Sequence, residues 1–222
     1  MAETVGADRE QTVRLSEIFF SLQGEAARSG IPTVFIRLTG CPLRCTWCDT
    51  EYAFTGGATT RIDEVLAEVA RYPTRLVCVT GGEPLAQKSC LPLLRALCDA
   101  GYDVCLETSG ALDIAQVDAR VARIMDLKAP GSGESAKNLL SNIADLRATD
   151  EVKIVVASRA DYEWAKEMVS AHDLPARCDV VLSPVAGQLN PTDLAEWILA
   201  DGLNVRFQIQ LHKLLWSDAR GK

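Results

Sequence analysis

The sequence predicts an α/β protein in which about six to seven mostly parallel strands, joined by helical crossovers, curl into a partial, open βα barrel. Three observations lead there. Short β-branched or apolar runs alternate with segments of helical period, the pattern of repeated βα units. Strands separated by helices run parallel, with right-handed crossovers. The 222 residues hold fewer such units than the eight, in roughly 250 residues, of a closed barrel.

Taken in order, the first strand is expected at 33–38 (TVFIRL), rich in β-branched and aromatic residues. Ile62, Val65, Leu66 and Val69 then fall on the i, i+3, i+4, i+7 stripe of an amphipathic helix. Strand 76–80 (LVCVT) is followed by a helix over 91–99 that Gly101 stops. Strands 103–107 and 123–126 come next, then a nearly helical stripe at Leu139, Ile143 and Leu146. Strand 151–156, helix 160–171, strand 179–183, helix 192–200 with Gly202 as its stop, and strand 205–209 complete the pattern. No linker, repeat or low-complexity stretch interrupts it, so 13–222 is expected to be one domain behind a flexible N-terminal segment over 1–12.

Composition narrows the function classes. Hydrophobic residues at 48% supply a core and exclude a disordered chain. No apolar run approaches the roughly 18 to 20 residues that span a bilayer, and the polar start MAETVGADREQ lacks a signal-peptide core. A cytoplasmic protein with no membrane partner is therefore expected. A net charge of −7 leaves no basic stripe for a phosphate backbone, which disfavours nucleic acid as a partner.

The polar motifs fall at predicted strand ends: TGGEP after 76–80, ETSG after 103–107, DLK after 123–126, SPV after 179–183 and QLHK after 205–209. Ligands bind at that end of the strands in parallel βα architectures, so this placement argues for an enzyme.

Eight cysteines are unusual for a cytosolic chain, which disulfides should not staple. Cys78, Cys90, Cys98, Cys105 and Cys178 lie on predicted strands, helices or their edges and read as small core residues. Cys41, Cys45 and Cys48 instead form a C-x3-C-x2-C run directly after the first strand. Three thiolates on one loop can hold three irons of a 4Fe-4S cluster and leave the fourth open to an outside ligand. Structural zinc wants a fourth Cys or His at similarly tight spacing. The nearest cysteine is Cys78 and the histidines are His172 and His212. A zinc knob completed by Asp49 or a remote ligand is the competing reading.

The cysteine run with Trp47 before its last member, followed by Gly81–Gly82–Glu83–Pro84, resembles the radical S-adenosylmethionine superfamily. That resemblance implies a cluster whose open iron is chelated by the methionine moiety, and a partial barrel of the radical SAM type. A closer match runs through 17–50 (EIFFSLQGEAARSGIPTVFIRLTGCPLRCTWCDT), TGGEP, ETSG, DLK, LSPV and QLHKLLWS. In order and spacing these motifs resemble the 7-carboxy-7-deazaguanine synthase family, radical SAM lyases of queuosine-precursor biosynthesis acting on 6-carboxy-5,6,7,8-tetrahydropterin. In that chemistry a 5′-deoxyadenosyl radical takes hydrogen from C6 of the pterin, the ring contracts, ammonia leaves, and the cofactor is regenerated. A glycyl-radical activase, another heterocycle synthase, or a non-catalytic zinc module are the rival readings.

The resemblance implies roles for particular residues. Leu22, Gln23, Gly24, Arg37, Thr80 and His212 would bind the pterin, with Arg37 on its carboxylate. Thr50 would ligate a magnesium ion (Mg2+) that also holds the substrate. Gly82, Glu83, Glu107, Ser109, Asp126, Leu127, Lys128 and Ser183 would bind S-adenosylmethionine. A homodimer and a flavodoxin or ferredoxin-type electron donor are implied as partners. Each residue has a plainer alternative: Arg37 in a surface ion pair, Thr50 in a turn, Glu83 capping nearby backbone, Lys128 on an exposed loop, His212 as a structural hydrogen-bonder. DLK stands where some members have Ser-Pro-Lys, so backbone contacts are the safer expectation there. The Gly/Ser loop 129–135 receives no role.

Overall fold

Alternation along the strands builds two faces. Val34, Ile36, Leu38, Val77, Val79, Val104 and Leu106 join one apolar cluster with Ile62, Val65, Leu93 and Leu97, so these strand positions face helices. Phe35, Cys78, Cys105 and Ile124, of the opposite parity, form a second cluster with Ala26 and Phe19 on the other face. That second face is where the polar strand ends emerge.

The structure, a computed structural model, describes residues 11–217 and 219–222. Its strands are β1 (Thr12–Leu22), β2 (Pro32–Leu38), β3 (Ala58–Arg61), β4 (Leu76–Gly81), β5 (Asp103–Thr108), β6 (Ala122–Asp126), β7 (Glu151–Val156), β8 (Asp179–Pro184) and β9 (Arg206–Phe207). Its helices are α1 (Ile62–Val69), α2 (Cys90–Asp99), α3 (Arg159–Ala171), α4 (Pro191–Asp201) and α5 (Leu211–Trp216). The strands form a single open sheet in the order β3-β1-β2-β4-β5-β6-β7-β8-β9. From β2 to β9 all neighbours are parallel, whereas β1 runs antiparallel to both β2 and β3. The expected mostly parallel, unclosed α/β architecture is what forms.

Local chemistry explains the helices that the sequence predicts. Ser158 Oγ accepts from Asp161 N at 3.2 Å to start α3, and Asn190 Oδ1 accepts from Thr192 N at 3.0 Å, with Pro191 at the first position, to start α4. A third apolar cluster, including Val152, Ile154, Tyr162, Leu182 and Leu194, seats both helices on β7 and β8.

Several expectations are corrected. Strands β1 and β3 are additional: they pair antiparallel through loops, and a register shift between Leu15 and Glu17 breaks the alternation of β1. The 139–146 stripe is not an α-helix but a 3-10 segment, Leu140–Asp145. Asn142 fixes that geometry by donating to the Gly110 and Leu112 carbonyls at 3.3 and 2.8 Å. The last strand is only Arg206–Phe207, so QLHK lies at and on α5 rather than at a strand end. Of the N-terminal segment expected over 1–12, residues 1–10 lie outside the described residues, and Thr12 already pairs with Arg61. The scattered cysteines pack as expected: Cys78, Cys90, Cys105 and Cys178 are buried and Cys98 is half-buried. No described helix is long and apolar enough to cross a membrane.

Candidate active site

The polar ends of the parallel strands open into a cavity of about 800 Å³. Register brings its wall residues together across the sheet: Arg37 on β2 pairs with Thr80 on β4, and Asp126 on β6 with Lys153 on β7. Phe19 and Phe35 stack at 4.9 Å between ring centroids and give the wall an apolar patch beside these groups.

The cysteine loop follows β2, and Cys41, Cys45 and Cys48 all line the cavity. Glu83 N donates to Gly40 O at 2.8 Å and Gly82 N to Leu38 O at 3.2 Å, which draws the end of β4 onto the start of the loop. Gly82 is required there: a Cβ on it would lie 2.7 Å from the Cβ of Cys41 and would strike Gly40 O. Burial pushes the Cys41 and Cys45 thiols up, and the nearby Lys128 ammonium opposes that shift in both. Among the described residues no three His, Cys, Asp or Glu side chains are set to hold a single metal ion. Three soft sulfur donors on one loop, with a glycine strand end pressed against it, suit an iron–sulfur group bearing a further ligand.

A polar row crosses the cavity from this loop. The Glu107 carboxylate accepts from Gln23 Nε2 at 3.1 Å and from Thr80 Oγ1 at 2.8 Å. Arg37 Nε donates to Glu17 at 2.8 Å, and its guanidinium lies over the Phe19 and Tyr52 rings at 5.6 and 5.8 Å. Burial disfavours the Arg37 charge, but Tyr52, Glu17 and Glu107 more than offset this and raise its pKa. Farther along, Lys153 is held between Glu25 and Asp126, and Asp126 also meets Lys128 Nζ at 3.1 Å. Burial alone would raise the Asp126 carboxyl; Lys128 and Lys153 hold it low instead.

At the other side, Leu211 N donates to Gly24 O at 3.0 Å and docks α5 on the loop after β1. The ring of His212 fills the space a side chain on Gly24 would need. Asp49 lies 3.7 Å from His212 and 3.6 Å from Lys213, and Thr50 Oγ1 donates to it at 3.0 Å. Burial would raise the Asp49 carboxyl, yet His212, Lys213 and Thr50 together bring it well below the usual carboxylate range.

The sequence profile of the Radical SAM superfamily matches residues 35–130, from β2 to just past β6. A 7-carboxy-7-deazaguanine synthase of Chlorobaculum tepidum is 47% identical over 216 residues, covering 96% of this chain and 98% of that protein. The chain belongs to the 7-carboxy-7-deazaguanine synthase family. A family member from Koribacter versatilis is 42% identical over 92% of this chain and 97% of its own length. The crystal structure of QueE from Escherichia coli superposes with a TM-score of 0.78 at 25% identity, covering 95% of this chain and 99% of that one. Streptococcus suis SuiB bound to S-adenosylmethionine shares the fold, with a TM-score of 0.56 at 14% identity over 80% of this chain and 47% of that one.

Within this family member the cavity gathers most of the residues the motifs single out. Leu22, Gln23, Gly24, Arg37, Thr50, Thr80, Gly82, Glu107, Ser109, Asp126, Lys128 and His212 line it with the three cysteines. Glu83, Leu127 and Ser183 do not. The fully buried Glu83 carboxylate accepts from Thr108 Oγ1 at 3.0 Å, Ser109 N at 2.6 Å and Leu85 N at 2.9 Å, so it caps backbone. Leu127 is buried, and Ser183 Oγ is spent on Gln208 O at 2.7 Å. Sequence reasoning missed Glu25, Tyr52 and Lys153. The one available signal was a lysine inside the otherwise apolar run VKIVV (152–156), since a buried lysine needs a partner.

Proposed function

We propose that this chain is a 7-carboxy-7-deazaguanine synthase: a radical SAM lyase that contracts the ring of 6-carboxy-5,6,7,8-tetrahydropterin to 7-carboxy-7-deazaguanine with loss of ammonia, on the route to queuosine-type 7-deazapurines. The observation that carries this reading is the meeting of the cysteine loop and the Arg37–Thr80–Glu107 row in one cavity. When bound, a 4Fe-4S cluster on Cys41, Cys45 and Cys48 and S-adenosylmethionine supply the hydrogen-abstracting radical chemistry. Positioning is left to the chain's own side chains.

On this reading the Arg37 guanidinium, steadied by Glu17 and two aromatic rings, receives the substrate carboxylate. Glu107, grouped by motif with the cofactor, is moved to the pterin side. Its hydrogen bonds run to Gln23 and Thr80, and a carboxylate there suits the N–H edge of an aminopyrimidinone. Leu22, Gly24 and His212 close the same side, with α5 excluding water. Gly82, Ser109, Asp126 and Lys128 serve S-adenosylmethionine, while Glu83, Leu127 and Ser183 act from behind by fixing the strand ends. Thr50 contributes its hydroxyl to magnesium, beside the low-pKa Asp49 carboxylate. Exposed Ile209, Leu214 and Leu215 near α5 support a homodimer. A flavodoxin or ferredoxin-type protein supplies the electron.

The test is anaerobic reconstitution with iron and sulfide, reduction, and incubation with S-adenosylmethionine, magnesium and the pterin. The expected result is a brown protein with about four irons and a product of the mass of 7-carboxy-7-deazaguanine. A fully loaded, reduced sample that leaves the pterin unchanged overturns the assignment.

A further inference from the structure

The Gly/Ser loop 129–135 after β6 lies against the cysteine loop and holds it through its own backbone and side chains. Arg44 N donates to Glu134 Oε1 at 2.7 Å, and Thr46 N donates to Ser132 O at 3.0 Å. Thr46 Oγ1 donates to Gly131 O at 2.9 Å, and Lys137 Nζ, just beyond the loop, donates to Pro42 O at 3.1 Å. The two backbone donors are those immediately before and after Cys45. That cysteine is therefore gripped on both sides from a segment about 90 positions away, as the 90-residue separation of Arg44 and Glu134 indicates. The other two cysteines are held differently: Cys41 follows Gly40, which Glu83 N fixes from the end of β4, and Cys48 N returns to Cys45 O at 3.2 Å.

The gripping loop is itself tied down. Gly131 N donates to Asp161 Oδ1 at 2.7 Å, and Asp161 is buried in the first turn of α3. Buried Ser132 donates through Oγ to Ala129 O at 2.6 Å and accepts there from Glu134 N at 3.1 Å. The Asn138 amide closes the base of the loop by bonding Lys128 N and Lys128 O, both at 2.9 Å. Glu134 is 8% exposed, and its carboxylate is divided between Arg44 N and the Lys137 ammonium.

We infer that loop 129–135 is a clasp that presets Cys45 for the iron–sulfur cluster, and that Glu134 is a positioning residue acting through the Arg44 backbone. The inference rests on the reading of the three cysteines as cluster ligands. Inside the cysteine loop Arg44 Nη1 donates to the Cys41 and Leu43 carbonyls and Cys48 N to Cys45 O, while the backbone N–H groups on either side of Cys45 are held from loop 129–135. Every conformer the loop can leave for lowers the effective affinity of the site. Partners behind the ligands commonly set metal retention, and their loss costs about 10- to 100-fold in metal affinity.

The test uses the full chain, reconstituted anaerobically, and follows iron loss to a chelator for the parent, Glu134→Ala, Glu134→Gln and Thr46→Val. Glu134→Ala is expected to release iron at least about 10-fold faster than the parent. Glu134→Gln keeps an oxygen for the Arg44 N–H and is expected to release iron near the parent rate. Thr46→Val, at an exposed position, is expected to fall between them with unchanged melting of the cluster-free protein. Parent-like release from both Glu134→Ala and Thr46→Val overturns the inference, as does a lowered melting point in Glu134→Ala with parent-like release. Should Glu134→Ala fail to fold, the Thr46→Val rate alone decides by the same criterion. A parent protein that takes up no cluster overturns the reading of the cysteines and the inference with it.

Discussion

A methyl group on Gly82 has nowhere to go, because its neighbours are the Gly40 carbonyl and the Cys41 Cβ at 2.7 Å rather than the flexible end of a long side chain. Gly82→Ala is expected to cost about 1–3 kcal/mol in a urea melt and to lower the iron bound per chain, because the strain falls on the cysteine loop. Tyr52 offers a second residue-level test. Its hydroxyl donates to Glu17 at 2.7 Å; burial, then Glu17, push the phenol up to about 12 although Arg37 opposes them. The sign follows from linkage. A pKa raised on folding means a contribution fully present below the unfolded value near 10 and lost as pH rises through about 12. Burial and Asp201 push Tyr162 up to about 12 as well, so an ultraviolet titration should find two tyrosines ionising near pH 12 and Tyr52→Phe should lose one of them; a Tyr52 titrating near 10 would contradict the contact. At this scale the motifs located most of the cavity wall but assigned some roles by proximity in sequence. Glu107 and Thr108 share the ETSG motif, yet adjacent strand residues face opposite sides, so Glu107 joins Gln23 and Thr80 while Thr108 turns back to Glu83. Lys153 signalled that it needs a partner, but which partners was illegible because Glu25 and Asp126 come from distant segments.

Among the elements, the junction of β6 and β7 depends on one buried ion pair. Asp150 receives Arg123 N at 3.0 Å, the Arg123 guanidinium, and Arg147 N at 2.8 Å, while its own side chain is fully buried. Asp150→Ala leaves the Arg123 charge buried without its partner and is expected to cost about 3–5 kcal/mol in a chemical denaturation experiment. Burial would raise the Asp150 carboxyl, but Arg123 and Arg147 more than reverse this and lower it. A lowered folded pKa gives stability that is present above the unfolded value near 4 and is lost as pH falls through the folded one. The parent should therefore lose stability more steeply than Asp150→Asn on the acid side of pH 4, and parallel curves would contradict the pair's role. The parallel strands were legible as short apolar runs and α1 to α4 as the helical segments among them, with Gly101 and Gly202 as stops after α2 and α4, although β5 and β6 are followed by no α-helix. Strands β1 and β3 carried no such signal, since antiparallel neighbours need no helix between them and the Leu15/Glu17 shift blurs the alternation. Helix α5 was hidden because the polar motif QLHK reads equally well as the tail of a strand.

For the molecule as a whole, an open sheet leaves one face of its parallel strands unfilled at their C-terminal ends, and the cavity occupies that space. The two antiparallel strands extend the sheet beyond β2, and the loop leaving β1 brings Gln23, Gly24 and Glu25 to the cavity. The C-terminal segment brings His212 and Lys213 from the opposite edge of the sheet. The cysteine loop and the polar row thus meet only through the fold, and on the proposed reading a pterin bound there would lie beside the radical-generating group. The hydrogen at C6 of the pterin reports on that juxtaposition directly. With 6-carboxytetrahydropterin deuterated at C6, the reconstituted and reduced protein is expected to release 7-carboxy-7-deazaguanine and to place deuterium in S-adenosylmethionine, as mass spectrometry would record. Unchanged pterin and unlabelled S-adenosylmethionine, from protein carrying about four irons, would contradict the account.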